Sequence, residues 1–138
     1  MVKILFSKDR CVGCKTCELA CAVAHSKEKS IAGAIKEHST SRIRIKMKSG
    51  KIKLEQCMLC KTPKCIEACP TGALFKSEDG TIKVDEMICT SCGLCKEACL
   101  FGAIVLETYP TVCDRCAHAD EPLCAKSCQT KALVIKAV

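Results

Sequence analysis

The most constraining feature of this chain is one run of four cysteines. Cys89-Thr90-Ser91-Cys92-Gly93-Leu94-Cys95-Lys96-Glu97-Ala98-Cys99 has the spacing C-x₂-C-x₂-C-x₃-C. Two-residue gaps confine three thiols to one tight loop, where all three can face a common centre. The three-residue gap sets the fourth thiol one helical turn further on. Three more groups follow: Cys11, Cys14, Cys17 and Cys21 at the same spacing; Cys57, Cys60, Cys65 and Cys69 with a four-residue middle gap; and Cys113, Cys116, Cys124 and Cys128 with seven residues in the middle. The four groups use all sixteen cysteines.

Disulfides, zinc and iron–sulfur clusters are the fates open to so many thiols. A disulfide framework belongs to secreted chains. Residues 1–10 carry neither a long apolar stretch nor a cleavage site, and the first cysteine group starts at once. The expectation is a reducing cytoplasm, with no direct membrane insertion, because no run of about 18 apolar residues is present. Structural zinc uses two separated C-x₂-C pairs or replaces Cys by His, and does not need three clustered thiols with a fourth one turn away. A pair of iron–sulfur cubanes does need that, because each loop grips one cluster and gives its fourth thiolate to the other. No group has lost a ligand, so four [4Fe–4S] clusters are expected rather than three-iron forms. A zinc-stapled interaction module is the remote alternative.

With 138 residues, three Phe, one Tyr and no Trp, the chain is short of large side chains for a core. Clusters would fill that space and change the charge. The formal net charge is +7 with every cysteine neutral. Four clusters at about −2 each, thiolates included, bring the balance to roughly −1. The lysine excess therefore compensates buried negative charge. It is not a nucleic-acid footprint, since no aromatics are interleaved with the basic residues to stack bases.

Along the chain, Val2, Ile4 and Phe6 alternate with Lys3, Leu5 and Ser7, a strand over 2–7. A helix is expected from near Cys17 to about Lys29, and Gly13 suits the tight loop before it. Residues 26–41 are polar and read as a connecting loop. Ile43, Ile45 and Met47, then Ile52 and Leu54, alternate with Arg44 and lysines around Ser49-Gly50. That pattern is a hairpin with one apolar face and a lysine-rich outer face. Its lysines protect a solvated edge or form a docking surface for an acidic partner. Thr71 to Phe75 lead into a strand, Glu78-Asp79-Gly80 turn it, and Thr81 to Val84 return. Residues 108–112 form a connector, and Ala132 to Ile135 make a final apolar strand. Pro70-Thr71-Gly72-Ala73-Leu74-Phe75 recurs as Leu100-Phe101-Gly102-Ala103-Ile104-Val105 and, more weakly, as Gln129-Thr130-Lys131-Ala132-Leu133-Val134, so a cysteine–helix–strand unit repeats. The expected fold class is α+β: tandem or nested modules of short strands, hairpins and short helices around four clusters.

These groups make the chain resemble the four-cluster ferredoxin-like electron-transfer subunits of large oxidoreductases, such as the beta subunits of dimethyl sulfoxide reductase, formate dehydrogenase and nitrate reductase. The four-residue gap with Cys69-Pro70-Thr71-Gly72-Ala73 and the long gap of the last group carry the likeness, which covers nearly the whole chain. Among small members, Cys14 to Ser26 is most similar to the iron–sulfur protein associated with nickel-containing carbon monoxide dehydrogenase. The subunit of tungsten aldehyde oxidoreductase is the close rival. The resemblance implies bacterial 2[4Fe–4S] ferredoxin modules nested one within the other: an inner one over 57–107 and an outer one over 1–56 with 108–138. It also implies the ligand sets. Cys57, Cys60, Cys65 and Cys99 hold one cluster, and Cys89, Cys92, Cys95 and Cys69 its neighbour. Cys11, Cys14, Cys17 and Cys128 hold a third, and Cys113, Cys116, Cys124 and Cys21 the fourth. Pro is missing after Cys21, Cys99 and Cys128, and the long insertions of larger members are absent.

The function implied is electron transfer without catalysis, so no catalytic residue is expected. The sequence has no Gly-rich dinucleotide loop, no flavin fingerprint and no open metal site with a general base, so donor and acceptor must sit on other proteins. A cluster acting as a Lewis acid would keep one iron free of cysteine, and every group here is complete. Nickel carbon monoxide dehydrogenase is the expected donor. A tungsten or molybdenum aldehyde oxidoreductase, a formate dehydrogenase or a hydrogenase are the alternatives. A hydrogenase, a flavin-dependent NAD(P) reductase or a soluble carrier fits as acceptor. His25, His38 and His118 read as surface or loop residues. Asp114, Arg115 and residues 117–123 cover a cluster or gate its partner. Met58, Leu59, Ile66 and Leu94 are expected to exclude water between ligands.

Overall fold

The computed structural model of the chain describes residues 2–137. Its elements are β1 (Val2–Phe6), α1 (Thr16–Ala24), α2 (Ile31–Lys36), β2 (Ile43–Lys48), β3 (Lys51–Gln56), α3 (Lys64–Ala68), β4 (Leu74–Lys76), β5 (Ile82–Val84), α4 (Leu94–Ala98), β6 (Val105–Leu106), β7 (Pro110–Thr111), α5 (Leu123–Ser127) and β8 (Leu133–Ala137). This is an α+β architecture. Every sheet among the described residues has two strands, and three of the helices have five residues. Neither a lone two-stranded sheet nor a single helical turn is stable in water. The elements depend on what they surround. Among the described residues no helix is long and apolar enough to cross a membrane.

The chain divides into two units, one of residues 56–114 and one of residues 2–55 with 115 onward. In the first, α3 packs on α4 and on β4. β4 and β5 pair antiparallel with Leu74 opposite Val84. The turn between them closes on the Asp79 carboxylate, which accepts from the Thr81 amide at 2.9 Å and the Thr81 hydroxyl at 2.6 Å. The core of this unit mixes Leu59, Leu74, Ile82, Ala103, Ile104 and Val112 with Cys57, Cys65, Cys95 and Cys113. In the second unit β1 pairs antiparallel with β8, Phe6 opposite Leu133, and Ser7 extends the ladder to the Ala132 carbonyl at 2.8 Å. α1 packs on α5, β2 and α2. Its core is Ile4, Ile43, Ile45, Ala125 and Leu133 with Cys17, Cys21 and Cys124.

Four details differ from the sequence reading. The first helix stops at Ala24, five residues early, because polar side chains take its last carbonyls. Ser26 Oγ donates to Val23 O at 2.7 Å, and the Lys29 ammonium donates to Ala24 O. The segment read as loop over 26–41 contains α2. Ser30, extended, caps it by accepting from the Gly33 amide at 3.0 Å. Only the small Gly33 and Ala34 are buried on α2, while Ile31 and Ile35 are exposed. The connector over 108–112 pairs as β7 with β6, Leu106 opposite Pro110. A proline is tolerated there because the sheet has only edges. Finally, Ile43 and Ile45 of β2 point inward as expected, but Met47 is 60% exposed.

Candidate metal centre

The four cysteine groups share one backbone solution. The residue just before the second cysteine adopts a left-handed conformation in each: Gly13 at φ 71°, Leu59 at 51°, Ser91 at 57° and Arg115 at 54°. This turn folds the C-x₂-C segment back so that both thiols face one side. The third cysteine is the second residue of a helix in every group: Cys17 in α1, Cys65 in α3, Cys95 in α4 and Cys124 in α5. All four are buried. The fourth cysteine ends the helix in extended conformation in three groups, at Cys69, Cys99 and Cys128. Three residues later the backbone turns left-handed again, at Gly72, Gly102 and Lys131. That bend lets Ala73, Ala103 and Ala132, exposed by 2% or less, enter the core.

This repeated path aims sulfurs at shared cavities. In the first unit one cavity of about 260 Å³ is lined by Cys57, Cys60, Cys65 and Cys99, with Ile82 and Ile104 as apolar wall. A second cavity in the same unit is lined by Cys69, Cys89, Cys92 and Cys95. In the second unit a third is lined by Cys11, Cys14, Cys17 and Cys128, with Phe6 and Ile45. Each cavity draws three thiols from one group and the helix-ending thiol of another. Of the remaining four, Cys21, Cys116 and Cys124 are buried in the second unit, and Cys113 is buried in the first. Gln56 Nε2 donates to the Cys113 sulfur at 3.7 Å.

Hydrogen bonds to sulfur divide the ligands by role. Burial pushes the Cys69 thiol up, but the Leu74 amide, the Thr71 hydroxyl and the Thr71 and Ala73 amides outweigh it and bring it down to about 7. Cys128 is lowered in the same way: burial opposes, and the Leu133 amide, the Thr130 hydroxyl and the Ala132 amide prevail. At Cys99 the Ala103 amide donates to the sulfur at 3.4 Å. The third ligands behave oppositely. Burial pushes Cys17 and Cys65 up to about 11 and raises Cys95. Cys69 and Cys128 are thus shifted toward the thiolate, while the buried third ligands need a cation to give up their protons. Four soft thiolates around an apolar cavity, with amide donors on the sulfurs, is the donor set that a [4Fe–4S] cubane takes.

Cys21 departs from this pattern. Its helix runs on to Ala24, so no following bend supplies amides. Instead the Arg42 amide donates to its sulfur at 3.2 Å from the β2 side. His25 Nδ1 stands 3.7 Å from the sulfur and 2.8 Å from the Cys21 carbonyl oxygen. Burial raises Cys21, but these donors leave it lowered. His25 is therefore part of the sulfur environment and not a plain surface residue. Its ring also meets that of His118 edge-on, 5.2 Å between centroids. His38 and His118 are exposed, as expected. Arg115 is buried and donates to the Val2 carbonyl at 3.2 Å, so it ties the fourth group to β1. Leu59 is buried and Ile66 half-buried; Met58 is partly exposed yet lines the Cys57 cavity, and Leu94 is exposed.

Comparison with known proteins points to [4Fe–4S] clusters. Residues 48–138 match a 4Fe-4S dicluster domain, and residues 10–73 match another family of 4Fe-4S dicluster domains. YsaA of Escherichia coli (strain K12), named for electron transport, is 34% identical over 135 residues, covering 94% of this chain and 86% of that protein. An iron-sulfur protein of Rhodospirillum rubrum is 42% identical over 74 residues, covering 52% of this chain but 39% of its own length. Among solved structures, the active site complex BamBC of benzoyl coenzyme A reductase as isolated aligns over 99% of this chain and 76% of that one. Its TM-score is 0.51 and its identity 22%, a likeness of fold.

Proposed function

Since the chain belongs to the 4Fe-4S dicluster family, we propose that it is an electron-transfer subunit carrying four [4Fe–4S] clusters between a redox enzyme and a downstream acceptor. The observation that carries this reading is the set of cavities, each lined by four cysteines drawn from two groups. Three ligand sets correspond to those cavities. The family pairing gives the fourth to Cys21, Cys113, Cys116 and Cys124. When bound, such clusters take up and release single electrons. The chain's own residues hold the sulfurs, keep water from the cavities and tune the sulfurs with amide and hydroxyl donors.

The donor we favour is nickel carbon monoxide dehydrogenase, on the similarity of Cys14 to Ser26 to the small iron–sulfur protein associated with that enzyme. An aldehyde oxidoreductase, formate dehydrogenase or hydrogenase would use the same wire. A hydrogenase or a flavin-dependent NAD(P) reductase suits as acceptor, with the complex in the cytoplasm. Two experiments test the reading. Iron and sulfide analysis of anaerobically prepared chain should give about sixteen irons, whereas a zinc module would be colourless and iron-free. Anaerobic pull-down from the native host should then bring nickel with iron, and tungsten or molybdenum instead would reassign the donor.

A further inference from the structure

Resting on the electron-transfer reading, we propose that the face around Cys14 is a docking port for an acidic electron-transfer protein. Two cysteines of the chain are exposed, Cys14 and Cys92. An exposed ligand marks where a cluster comes nearest to a partner, and the two surroundings differ. Along the chain around Cys92 the exposed residues mix apolar Met87, Ile88 and Leu94 with polar Thr90, Ser91, Lys96 and Glu97 of both charges. Around Cys14 an apolar centre is joined to a basic cleft. Val12 is 67% exposed, and Met47, also exposed, lies over Gly13, so β2 reaches the Cys11–Cys14 loop. Directly beyond Met47, a cleft is lined by Lys8, Lys48, Lys51 and Lys53 with Ser49-Gly50 of the β2–β3 turn, Asp9 being its one acid.

Among the described residues these four ammonium groups make no ion pair, unlike Lys46 on the same hairpin, which faces Glu55 at 4.0 Å. Four like charges in one cleft are a cost to the chain alone, and edge protection of a two-residue turn does not require them. They do suit a partner that brings carboxylates. An apolar centre over the electron path with a charged rim is the anatomy of a transient, steered interface. The transfer is one electron: the port's cluster is oxidised by one as the partner's one-electron cofactor is reduced, or the reverse.

The test uses the four-cluster chain and two protein probes, an acidic flavodoxin and basic mitochondrial cytochrome c. The quadruple variant K8Q/K48Q/K51Q/K53Q is compared with K36Q/K61Q/K96Q/K136Q, which has the same net charge. Equilibrium binding of flavodoxin should weaken about tenfold between low and physiological salt. It should weaken about as much in the port variant at low salt, with the salt dependence flattened, and hold in the control variant. Cytochrome c should not bind more tightly than flavodoxin. Equal losses in both variants, or unchanged flavodoxin binding, would overturn the proposal. So would lysine-dependent binding to anionic vesicles without flavodoxin binding. Iron content and electron transfer to a small neutral quinone are measured alongside. If those fail in the parent chain, the electron-transfer reading fails; if they hold while flavodoxin binding does not respond, only the port does.

Discussion

The Sδ atom of Met47 stands 2.7 Å from where a β-carbon on Gly13 would sit. Four positions in the chain share the left-handed turn before a second cysteine, and three of them carry side chains. Gly13 is the one glycine among them, and Met47 of β2 closes on it. Gly13→Ala should therefore destabilise the Cys11–Cys17 loop by about 1–2 kcal/mol from backbone strain alone, plus whatever Met47 must give. The double variant Gly13→Ala with Met47→Ala should recover the clash and keep the strain. Thermal bleaching of cluster absorbance reads both. A double variant as stable as the parent would show that strain at Gly13 is negligible.

Lys15 makes the opposite case. It is left-handed at φ 61°, at the same place after a second cysteine that Gly93 occupies at 81°. Its exposed ammonium reaches half-buried Glu18 only at 3.9 Å, a pair worth little at that length. Lys15→Gly should stabilise the chain by about 0.5 kcal/mol, relieved strain exceeding the entropy cost of the glycine. A lower midpoint in the same bleaching assay would mean the lysine is held for another reason.

The ligand sets make a counting prediction. If Cys57 and Cys99 share a cavity and Cys69 belongs to the next one, then Cys57→Ser with Cys99→Ser should damage one cluster, about four irons. Cys57→Ser with Cys69→Ser should damage two, about eight. Iron analysis and the spectra of the reduced protein separate these outcomes. Equal losses in the two double variants would refute the cross-lending of fourth ligands.

How much of this was legible in the sequence follows from which signals are local. Cysteine spacing marks the sites because the geometry of one loop and one helical turn is written in a few adjacent residues. The Ala73, Ala103 and Ala132 repeat was visible for the same reason. The helix at Ile31–Lys36 was hidden, because it buries Gly33 and Ala34 and leaves its two isoleucines to solvent, the reverse of the usual apolar face. The left-handed turns at Leu59, Ser91 and Arg115 carried no signal, since only Gly13 advertised one. Nor could the contact of Arg42 with Cys21 be read, because the donor is a backbone amide 21 residues away.

That environment of Cys21 has a consequence for potential. Hydrogen bonds to a ligating sulfur stabilise the more negative, reduced state. His25→Ala removes a ring 3.7 Å from the Cys21 sulfur and leaves the Arg42 amide in place. One cluster should shift to lower potential by a few tens of millivolts, the size expected for part of a charge-assisted hydrogen bond. An anaerobic redox titration followed by paramagnetic resonance would detect it. An unchanged set of potentials would reduce His25 to a packing role.

Metal retention should depend on pH through the buried thiols. Cys17 and Cys65 are pushed up to about 11 by burial, so at pH 7 to 9 each must surrender a proton to keep an iron. Raising the pH lowers that cost by about 1.4 kcal/mol per unit for each such thiol. Cys69, at about 7, is already ionised above pH 8 and adds nothing further there. Resistance of the clusters to a chelator should therefore climb steadily from pH 7 to 9 and not level off at 8. Stripping should also cost the fold, because cysteines occupy both cores and no two-stranded sheet persists without its filling. Circular dichroism should collapse in step with bleaching at every pH. A chain that kept its secondary structure after complete iron removal would place the stability in the polypeptide and not in the clusters.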